Sequence, residues 1–215
     1  GLVYEISDGG AHGKVVALKA HRDLNLWYRT GLPYDEIHPE DPNNVGVIAR
    51  SETDGQENMK AYKQIPDWKT HYPVAAYVSD LNDENGNPGW YLPAIKEVQA
   101  MVGWIDGEVL SPDGEAGQEP SEAMKEKRKA INQLIVDNGG NEFYFYGYDV
   151  SFIIDQTNAW EADYFNRIYT STETDYQVHP MVFKFYLRNG WWENMHIYGD
   201  LAGRGYGEVR PFLAF

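Results

Sequence analysis

The stretch Gly89–Val98, GWYLPAIKEV, decides how the chain folds, because it has the pattern of a short buried strand that turns directly into a helix. Successive side chains of a strand alternate, so Trp90 and Leu92 are expected to face the core and Tyr91 the other side. Pro93 fixes its own φ and holds Leu92 in extended geometry, which ends the strand and lets a helix begin. We therefore predict an architectural joint here, with an irregular half before it and an aromatic β half after it.

Before this joint, apolar spacing predicts two helices. The segment Gly55–Ile65 carries apolar residues at three-residue spacing, and the Asp54 carboxylate can accept the free N–H groups of a first helical turn. The segment Tyr72–Leu81 predicts a second helix. The segment Asn82–Pro88 predicts a polar turn that leads into the joint.

After the joint, the sequence predicts two further helices. One follows Pro93 and is expected to end near Gly103, and the other is opened by Ser121, whose hydroxyl can cap it. Asn138-Gly139-Gly140 is expected to end the second of these helices, with a glycine in the left-handed conformation. Strands are predicted at residues 2–6, 14–18, 168–172 and 208–215, and the first two form a hairpin.

The strongest hairpin signal lies within Met181–Tyr198, where two apolar runs flank Asn189-Gly190. This pair is favoured in two-residue hairpin turns. Such a turn pairs Arg188 with Trp191 and Leu187 with Trp192. The predicted core face carries Met181, Phe183, Phe185, Leu187, Trp192 and Tyr198. The predicted outer face carries Lys184, Tyr186, Arg188, Trp191 and Glu193.

Length and charge exclude several classes of protein. With 215 residues the chain can form a single domain, 1–215, in which residues 1–53 supply N-terminal strands and a loop. It has no cysteine, which excludes disulfides, thiolate metal sites and cysteine nucleophiles. The formal net charge of −15 disfavours nucleic acid and anionic membranes as partners. No apolar run approaches the ~20 residues of a membrane span, so an integral membrane protein is not expected.

Aromatic residues are the unusual part of the composition. The chain has 16 Tyr, 8 Phe and 7 Trp beside 21 Gly and 11 Pro, which predicts a β-rich, loop-rich domain rather than a helical bundle. Tyrosine at this level is typical of surfaces that recognise sugars or proteins. Large rings also fill loop-rich cores, and composition alone leaves both interpretations open.

Six short motifs recur in the order of a known family. They are Asp54-Gly55-Gln56-Glu57-Asn58-Met59, Ala75-Ala76, Trp90-Tyr91-Leu92-Pro93 with Glu97, Ile131-Asn132 to Gly139-Gly140, Tyr169-Thr170-Ser171-Thr172-Glu173 and Val209-Arg210-Pro211-Phe212-Leu213-Ala214-Phe215. Together they resemble the Lcl C-terminal-domain family of bacterial proteins, common in exported proteins of gut Bacteroidetes. That family looks like a branch of the C-type-lectin-like, sulfatase-modifying-factor-like fold.

The resemblance implies a fold and a location. The fold is α+β, a C-type-lectin-like domain with two to four helices packed on small twisted antiparallel sheets, with long irregular loops. The location is outside the cytoplasm, at the cell surface, in the periplasm or secreted. The signal peptide is then absent from this chain, and Gly1 is interpreted as a trimmed N-terminus.

The chain departs from the family pattern at three places. Ala94 replaces the usual Ser or Thr, so we expect the hydroxyl cap of the following helix and its reciprocal box with Glu97 to be lost. Thr170 replaces a Trp, and residues 143–168 contain an apparent insertion. Sulfatase-modifying relatives oxidise with cysteines, and that activity is excluded because this chain has none.

No catalytic residue, metal ligand or cofactor is predicted. The six histidines show no metal-ligand spacing, and no phosphate loop, dinucleotide fingerprint or Gly-x-Ser-x-Gly motif is present. Residues 80–86 resemble a Ca²⁺ loop, but Asn85 stands where an EF-hand needs glycine. Ca²⁺ therefore stays only as an alternative to a hydrophilic turn.

The favoured hypothesis is a non-catalytic binding module that recognises a glycan or a protein ligand at the cell surface, because exposed aromatic rings stack on sugar faces at low entropic cost. The predicted ligand-binding residues are Trp191, Tyr186, Glu193, Trp160 and Tyr164. The residues predicted to be structural are Trp90, Leu92, Pro93, Glu97 and Arg210, the last as a buried ion-pair partner.

Two alternatives remain. One is a structural or assembly domain of a surface adhesin or pilus-like protein, whose aromatic surface contacts another chain. The other is a carboxylate-based hydrolase, which needs only two well-placed carboxylates. Glu173 and Glu193 lie near aromatic residues in the sequence, and Glu173 is expected to make a structural hydrogen bond within a Ser-Thr-Glu turn.

Overall fold

The structure, a computed structural model, describes residues 1–22, 49–86, 89–107, 121–143, 167–173, 180–184, 189–192 and 208–215. These residues form an α+β arrangement of helices and two small antiparallel sheets. More of them are helical than in strands, so the prediction of a β-rich domain is wrong for the described part of the chain. The helices are α1 Gly55–Tyr62, α2 Trp68–His71, α3 Pro73–Asn85, α4 Ile95–Asp106 and α5 Glu122–Asp137. The strands are β1 Leu2–Ser7, β2 His12–Val16, β3 Trp90–Tyr91, β4 Arg167–Glu173, β5 Pro180–Lys184, β6 Asn189–Trp192 and β7 Phe212–Ala214. None of the described helices combines the length and apolar composition that a membrane span requires.

The first sheet has the strand order β1-β2-β7-β3. The predicted hairpin of β1 and β2 is confirmed, and the C-terminal strand β7 lies between β2 and β3. A row of opposing residues, Val16, Phe212 and Tyr91, is buried against the helices, and the Tyr4 ring joins it in an edge contact with Phe212 at 5.4 Å. The chain therefore closes on itself, since its first and last strands share one sheet.

Helix α4 supplies the largest share of the core. Its fully buried side chains include Val98, Met101 and Val102, and it contacts β1, the second sheet and α5. The helix continues past Gly103, where the sequence predicted its end, to Asp106 and a left-handed Gly107. The prediction is wrong because Ile105 extends the apolar face by another turn and is itself buried.

Tyr91, and not Trp90, faces the core, so the predicted orientation of the joint is wrong. Tyr91 is 3% exposed, whereas Trp90 is only half-buried. Strand β3 has just these two residues, so strand alternation does not continue to Leu92, which is fully buried by the change of direction at Pro93. Leu92 and Pro93 are buried, and α4 begins two residues after Pro93, as predicted.

Two helical boundaries also differ from the sequence prediction. Helix α3 runs to Asn85, through the predicted polar turn, because Gly86 rather than Asn82 adopts the left-handed conformation that ends it. Residues 80–85 are therefore helical and do not form an ion-binding loop. The single-turn helix α2 brings the described α-helices to five, against the two to four expected.

The second sheet has the order β4-β5-β6, and its hairpin register differs from the prediction. Asn189 and Gly190 lie inside β6, opposite Lys184 and Phe183, so they do not form the predicted two-residue turn. Trp191 is opposite Val182, not Arg188. The local turn preference of Asn-Gly is outweighed by the register of the three-stranded ladder, in which Val182, Phe183 and Lys184 of β5 each pair with both β4 and β6.

The last predicted strand, 208–215, is shorter than expected. Only Phe212–Ala214 is a regular strand, and Val209 makes an isolated bridge to His21. Pro211 separates the two pieces because it has no N–H to donate to a ladder.

Candidate functional site

The second sheet is fastened to the helices through β4. The Ser171 N–H donates to the Pro93 carbonyl at 2.7 Å, and the Ser171 hydroxyl accepts from the Asn58 amide of α1 at 3.0 Å. The buried Tyr62 hydroxyl donates to the Ser171 carbonyl at 2.6 Å. One residue of β4 therefore contacts both α1 and the joint that precedes α4.

The next two residues of β4 extend this fastening. The Thr172 hydroxyl donates to the Ser51 carbonyl at 2.9 Å and accepts from the Ile95 N–H at 3.0 Å. Glu173 and Ala49 are joined twice, by a backbone bond of 2.8 Å and by the Ala49 N–H donating to the Glu173 carboxylate at 3.0 Å. Glu173 thus lies in a strand and bonds to a distant segment, whereas the sequence predicted a bond within a local turn.

Glu97 occupies the centre of a second buried polar cluster. Its carboxylate is 4% exposed and accepts from the Gly55 N–H at 3.0 Å, the Ala94 N–H at 2.9 Å and the Tyr91 hydroxyl at 2.8 Å. The Lys14 ammonium lies 3.0 Å away. The predicted loss of the capping box is therefore only half correct, because Glu97 still accepts from the Ala94 N–H although Ala94 has no hydroxyl.

The missing hydroxyl of Ala94 is replaced by groups from elsewhere in the chain. At the start of α4, the Ile95 N–H reaches Thr172, and the Lys96 N–H donates to the Glu52 carbonyl at 2.8 Å. The Glu97 N–H donates to the Ala94 carbonyl at 3.1 Å. The first three N–H groups of α4 are thus all satisfied without a capping side chain at Ala94.

The buried tyrosines around these clusters stay protonated. Burial, with the Glu97 carboxylate as the next cause, raises the pKa of Tyr91 and of Tyr4 far above the ordinary value of 10.0. Burial, followed by the Glu173 charge, raises the pKa of Tyr62 in the same direction. At neutral pH these phenols keep their protons, and the hydroxyls of Tyr91 and Tyr62 donate to Glu97 and Ser171, which fits a structural role.

Arg210 is fully buried and holds three segments together. Its guanidinium donates to the Glu208 carboxylate at 2.9 Å, to the Leu18 carbonyl at 3.0 Å and to the Asn141 carbonyl at 2.9 Å. It also lies 4.1 Å from the centre of the Phe143 ring. The sequence prediction of a buried ion-pair partner agrees with this geometry.

The residues predicted to bind a ligand fall mostly outside the described part of the chain. Tyr186, Glu193, Trp160 and Tyr164 are in this group, so their convergence stays a prediction. Trp191 lies in β6, the outer strand of the second sheet as described. The register aligns Tyr169 of β4, Val182 of β5 and Trp191 of β6 in one row across the sheet.

The polar clusters in the described part have structural geometry. The carboxylates of Glu97, Glu173 and Glu208 each accept from backbone or side-chain donors and tie distant segments together. Among the described residues, no group of three or more His, Asp or Glu side chains is arranged to hold a metal ion. These hydrogen bonds and ion pairs hold the second sheet in a fixed position on the helices.

Several of these structural residues were missed at the sequence level. Tyr62 and Lys14 have no local pattern that marks them, because their partners lie far away in the chain. Asn58 belongs to the motif that begins at Asp54, but the motif does not indicate its distant partner Ser171. The one available signal was the Asp54-Gly55 start of α1. Asp54 caps the helix by accepting from the Glu57 N–H at 3.0 Å, and a Cβ at Gly55 would clash with the backbone of the joint.

Comparison with known proteins identifies no relative. No family model matches the chain, and neither a curated protein nor a solved structure matches it. The assignment of a function therefore depends on the residues and geometry of this chain.

Proposed function

We propose that this chain is a non-catalytic ligand-binding module of an exported or cell-surface bacterial protein, with a C-type-lectin-like fold, and that its ligand is a glycan. The observation that carries the proposal is the position of Trp191 on β6, the outer strand of the second sheet among the described residues, whose opposite strand, β4, is locked to the helices. Because successive residues of a strand alternate between its two faces, only one of the two tryptophans can belong to the face that α4 contacts, and we assign Trp191 to the ligand face.

Rigid support favours binding because less conformational entropy is lost when the ligand arrives. Strand β4 is fixed by hydrogen bonds from Ser171, Thr172 and Glu173 to three separate segments. Strand β5 pairs with β4, and β6 pairs with β5. Indole rings offer a large flat apolar surface with only two side-chain torsions to restrict. A tryptophan on a supported strand therefore fits the recognition of a sugar face.

The proposed fold is supported by the roles of the family-like motifs. Asp54 caps α1, Gly55 lies against the backbone of the joint, and Asn58 links α1 to both Ser51 and Ser171. The Trp-Tyr-Leu-Pro motif and Glu97 form the joint itself. Residues that the resemblance singles out thus contact one another, which supports the proposed fold.

A glycan array followed by calorimetry tests the proposal. The full chain should bind a subset of glycans, and Trp191→Ala should weaken that binding by about tenfold or more, the loss of one stacking contact. Trp104→Ala is the matched control, because Trp104 lies on α4 and is 41% exposed. Equal loss in both variants, or an array without any binding, would contradict the proposal. Capture of a defined protein instead of a glycan would favour the protein ligand.

A further inference from the structure

The outer face of the first sheet is apolar, although the helices already cover its inner face. One row of opposing residues across the four strands is Val3, Val15, Leu213 and Trp90. The next row begins with Ile6 opposite Gly13, and Gly13 exchanges two backbone hydrogen bonds with Phe215. Neither row contains a charged side chain.

Much of this face is open to solvent. Val3 is 40% exposed, Ile6 66% and Phe215 48%, while Val15, Leu213 and Trp90 are half-buried. An antiparallel sheet with one face on the core normally presents polar residues on the other face. A contiguous apolar face therefore marks a surface that another molecule covers.

The two edges of this sheet are treated differently. At the β3 edge, the Asn82 side chain donates to the Trp90 carbonyl at 2.8 Å and accepts from its N–H at 2.9 Å, so α3 closes that edge. At the other edge, β1 pairs with β2 alone among the described residues, and no hydrogen bond from these residues reaches its free side. An open edge beside an apolar face is the geometry that accepts an added strand.

Size and charge decide between the possible occupants. Three exposed and three half-buried side chains fall short of the roughly 800 Å² that each partner buries in a standard interface, so the face is too small for a stable dimer of globular copies. A second copy would also bring the same net charge of −15 and the same exposed Glu5 on its β1. A strand that adds to β1 needs less area, because backbone hydrogen bonds supply much of its affinity.

We propose that the outer face and free edge of β1 dock an extended peptide segment of a partner chain, with alternating apolar and basic side chains. The apolar side chains of the segment cover Ile6, Val3 and Phe215, and its basic side chains lie near Glu5. The bulge at Tyr4 and the charge of Glu5 limit indiscriminate strand pairing, so acidic segments are rejected. This surface is separate from the tryptophan strand β6 and does not depend on its ligand.

A titration of the isotope-labelled full chain with a synthetic peptide of alternating valine and lysine, about six residues long, tests the proposal. Backbone resonances of residues 2–7 should shift and their amides should become protected from hydrogen exchange. Ile6→Lys should weaken binding by about tenfold or more, because the new charge repels the basic peptide and removes apolar contact. Leu134→Lys, at a 46% exposed position of α5, should leave the affinity unchanged.

Two control peptides and one hydrodynamic measurement complete the test. A peptide with the same composition in two blocks should bind at least about tenfold more weakly, and a valine–glutamate peptide should not bind. Equal binding of the block peptide, no binding of the alternating peptide, or indifference to Ile6→Lys would overturn the proposal. A wild-type dimer in sedimentation analysis that Ile6→Lys converts to monomer would overturn it too, because the occupant would then be a second copy.

Discussion

The side chain of Glu97 shows how one residue connects elements that are far apart in the sequence. Its carboxylate receives the N–H of Gly55 at the start of α1, the N–H of Ala94 before α4 and the hydroxyl of Tyr91 in β3. Lys14 adds an ammonium from β2. Four donors around a carboxylate that is 4% exposed keep its charge compensated, which a neutral side chain of the same size cannot reproduce.

Replacing this carboxylate by an amide should lower stability strongly. In Glu97→Gln, one oxygen remains to accept, and the new NH₂ group faces N–H donors, so we expect a loss of about 2–4 kcal/mol in the free energy of unfolding. Glu52→Gln is the matched control, because Glu52 forms its ion pair with Lys96 at a half-exposed surface position and should show no measurable change. Urea denaturation measures both, and similar midpoints for the two variants would contradict the assigned role.

The buried tyrosines predict a loss of stability in alkali. Their pKa values in the folded state lie above the ordinary value of 10.0. At a pH between the ordinary value and the raised values, the unfolded chain therefore releases phenol protons that the folded chain keeps. Stability is then fully present below pH 10 and falls as the pH rises beyond it. Phenolate absorbance should appear together with the loss of secondary structure in an alkaline titration. Phenolate formation in a chain that keeps its circular dichroism would show that these tyrosines ionise while folded.

Tyr4 and Tyr91 should respond differently to removal of the hydroxyl. The Tyr4 hydroxyl is buried and makes no hydrogen bond to the described residues, whereas that of Tyr91 donates to Glu97. Tyr4→Phe should therefore leave neutral-pH stability unchanged or raise it by up to about 1 kcal/mol, and Tyr91→Phe should lower it by about 1–2 kcal/mol. In both variants, stability should fall less steeply at alkaline pH, because one buried phenol no longer contributes to the loss. Denaturation series at neutral and alkaline pH measure both effects, and a destabilised Tyr4→Phe would contradict this assignment.

At the scale of elements, local patterns predicted helices well when the capping group lies in the same segment. Asp54 and Ser121 each cap their helix as expected, accepting from Glu57 and Met124. The cap of α4 could not be predicted, because Thr172 lies 77 residues from Ile95 in the sequence. The prediction of a turn at Asn189-Gly190 was wrong because the register of β6 against β5 depends on cross-strand packing, which a dipeptide preference does not determine.

The cap supplied by Thr172 can be tested separately from strand packing. Thr172→Val keeps the shape and β propensity but removes the acceptor for the Ile95 N–H and the donor to Ser51, so stability should fall by about 1–3 kcal/mol. Thr172→Ser keeps the hydroxyl and should retain most of the stability. Ala94→Ser should gain less than the ~1 kcal/mol of an ordinary N-cap, because the N–H groups it would serve already have partners. Equal stability of the Val and Ser variants would show that the hydroxyl of Thr172 is not the cap.

For the whole molecule, the sequence predicted the α+β class and the order of most elements, because hydrophobic periodicity and turn residues are local signals. It did not predict the ties that join the chain ends to the middle, in which Arg210 reaches Leu18 and Asn141. The candidate site was predicted only as a set of aromatic residues. The structure places Trp191 on β6, and the supports beneath that sheet, Asn58 and Tyr62 among them, depend on tertiary contacts that no local pattern reveals.

Arg210 is the residue through which global stability can be tested. In Arg210→Met, the buried Glu208 carboxylate loses its nearest cation and several carbonyls lose a donor, so we expect a loss of about 3–5 kcal/mol in the free energy of unfolding. Arg210→Lys should recover only part of this, because a single ammonium cannot reach acceptors in three segments. Lys69→Met, at an exposed ion pair with Asp80, should change nothing measurable. Urea denaturation followed by circular dichroism and by tryptophan fluorescence measures these changes. The two transitions should coincide for all variants, because the contacts of Arg210 link both ends of the chain to the segment after α5. A lysine variant as stable as the wild type would show that charge alone, and not the five-donor geometry of the guanidinium, holds these segments together.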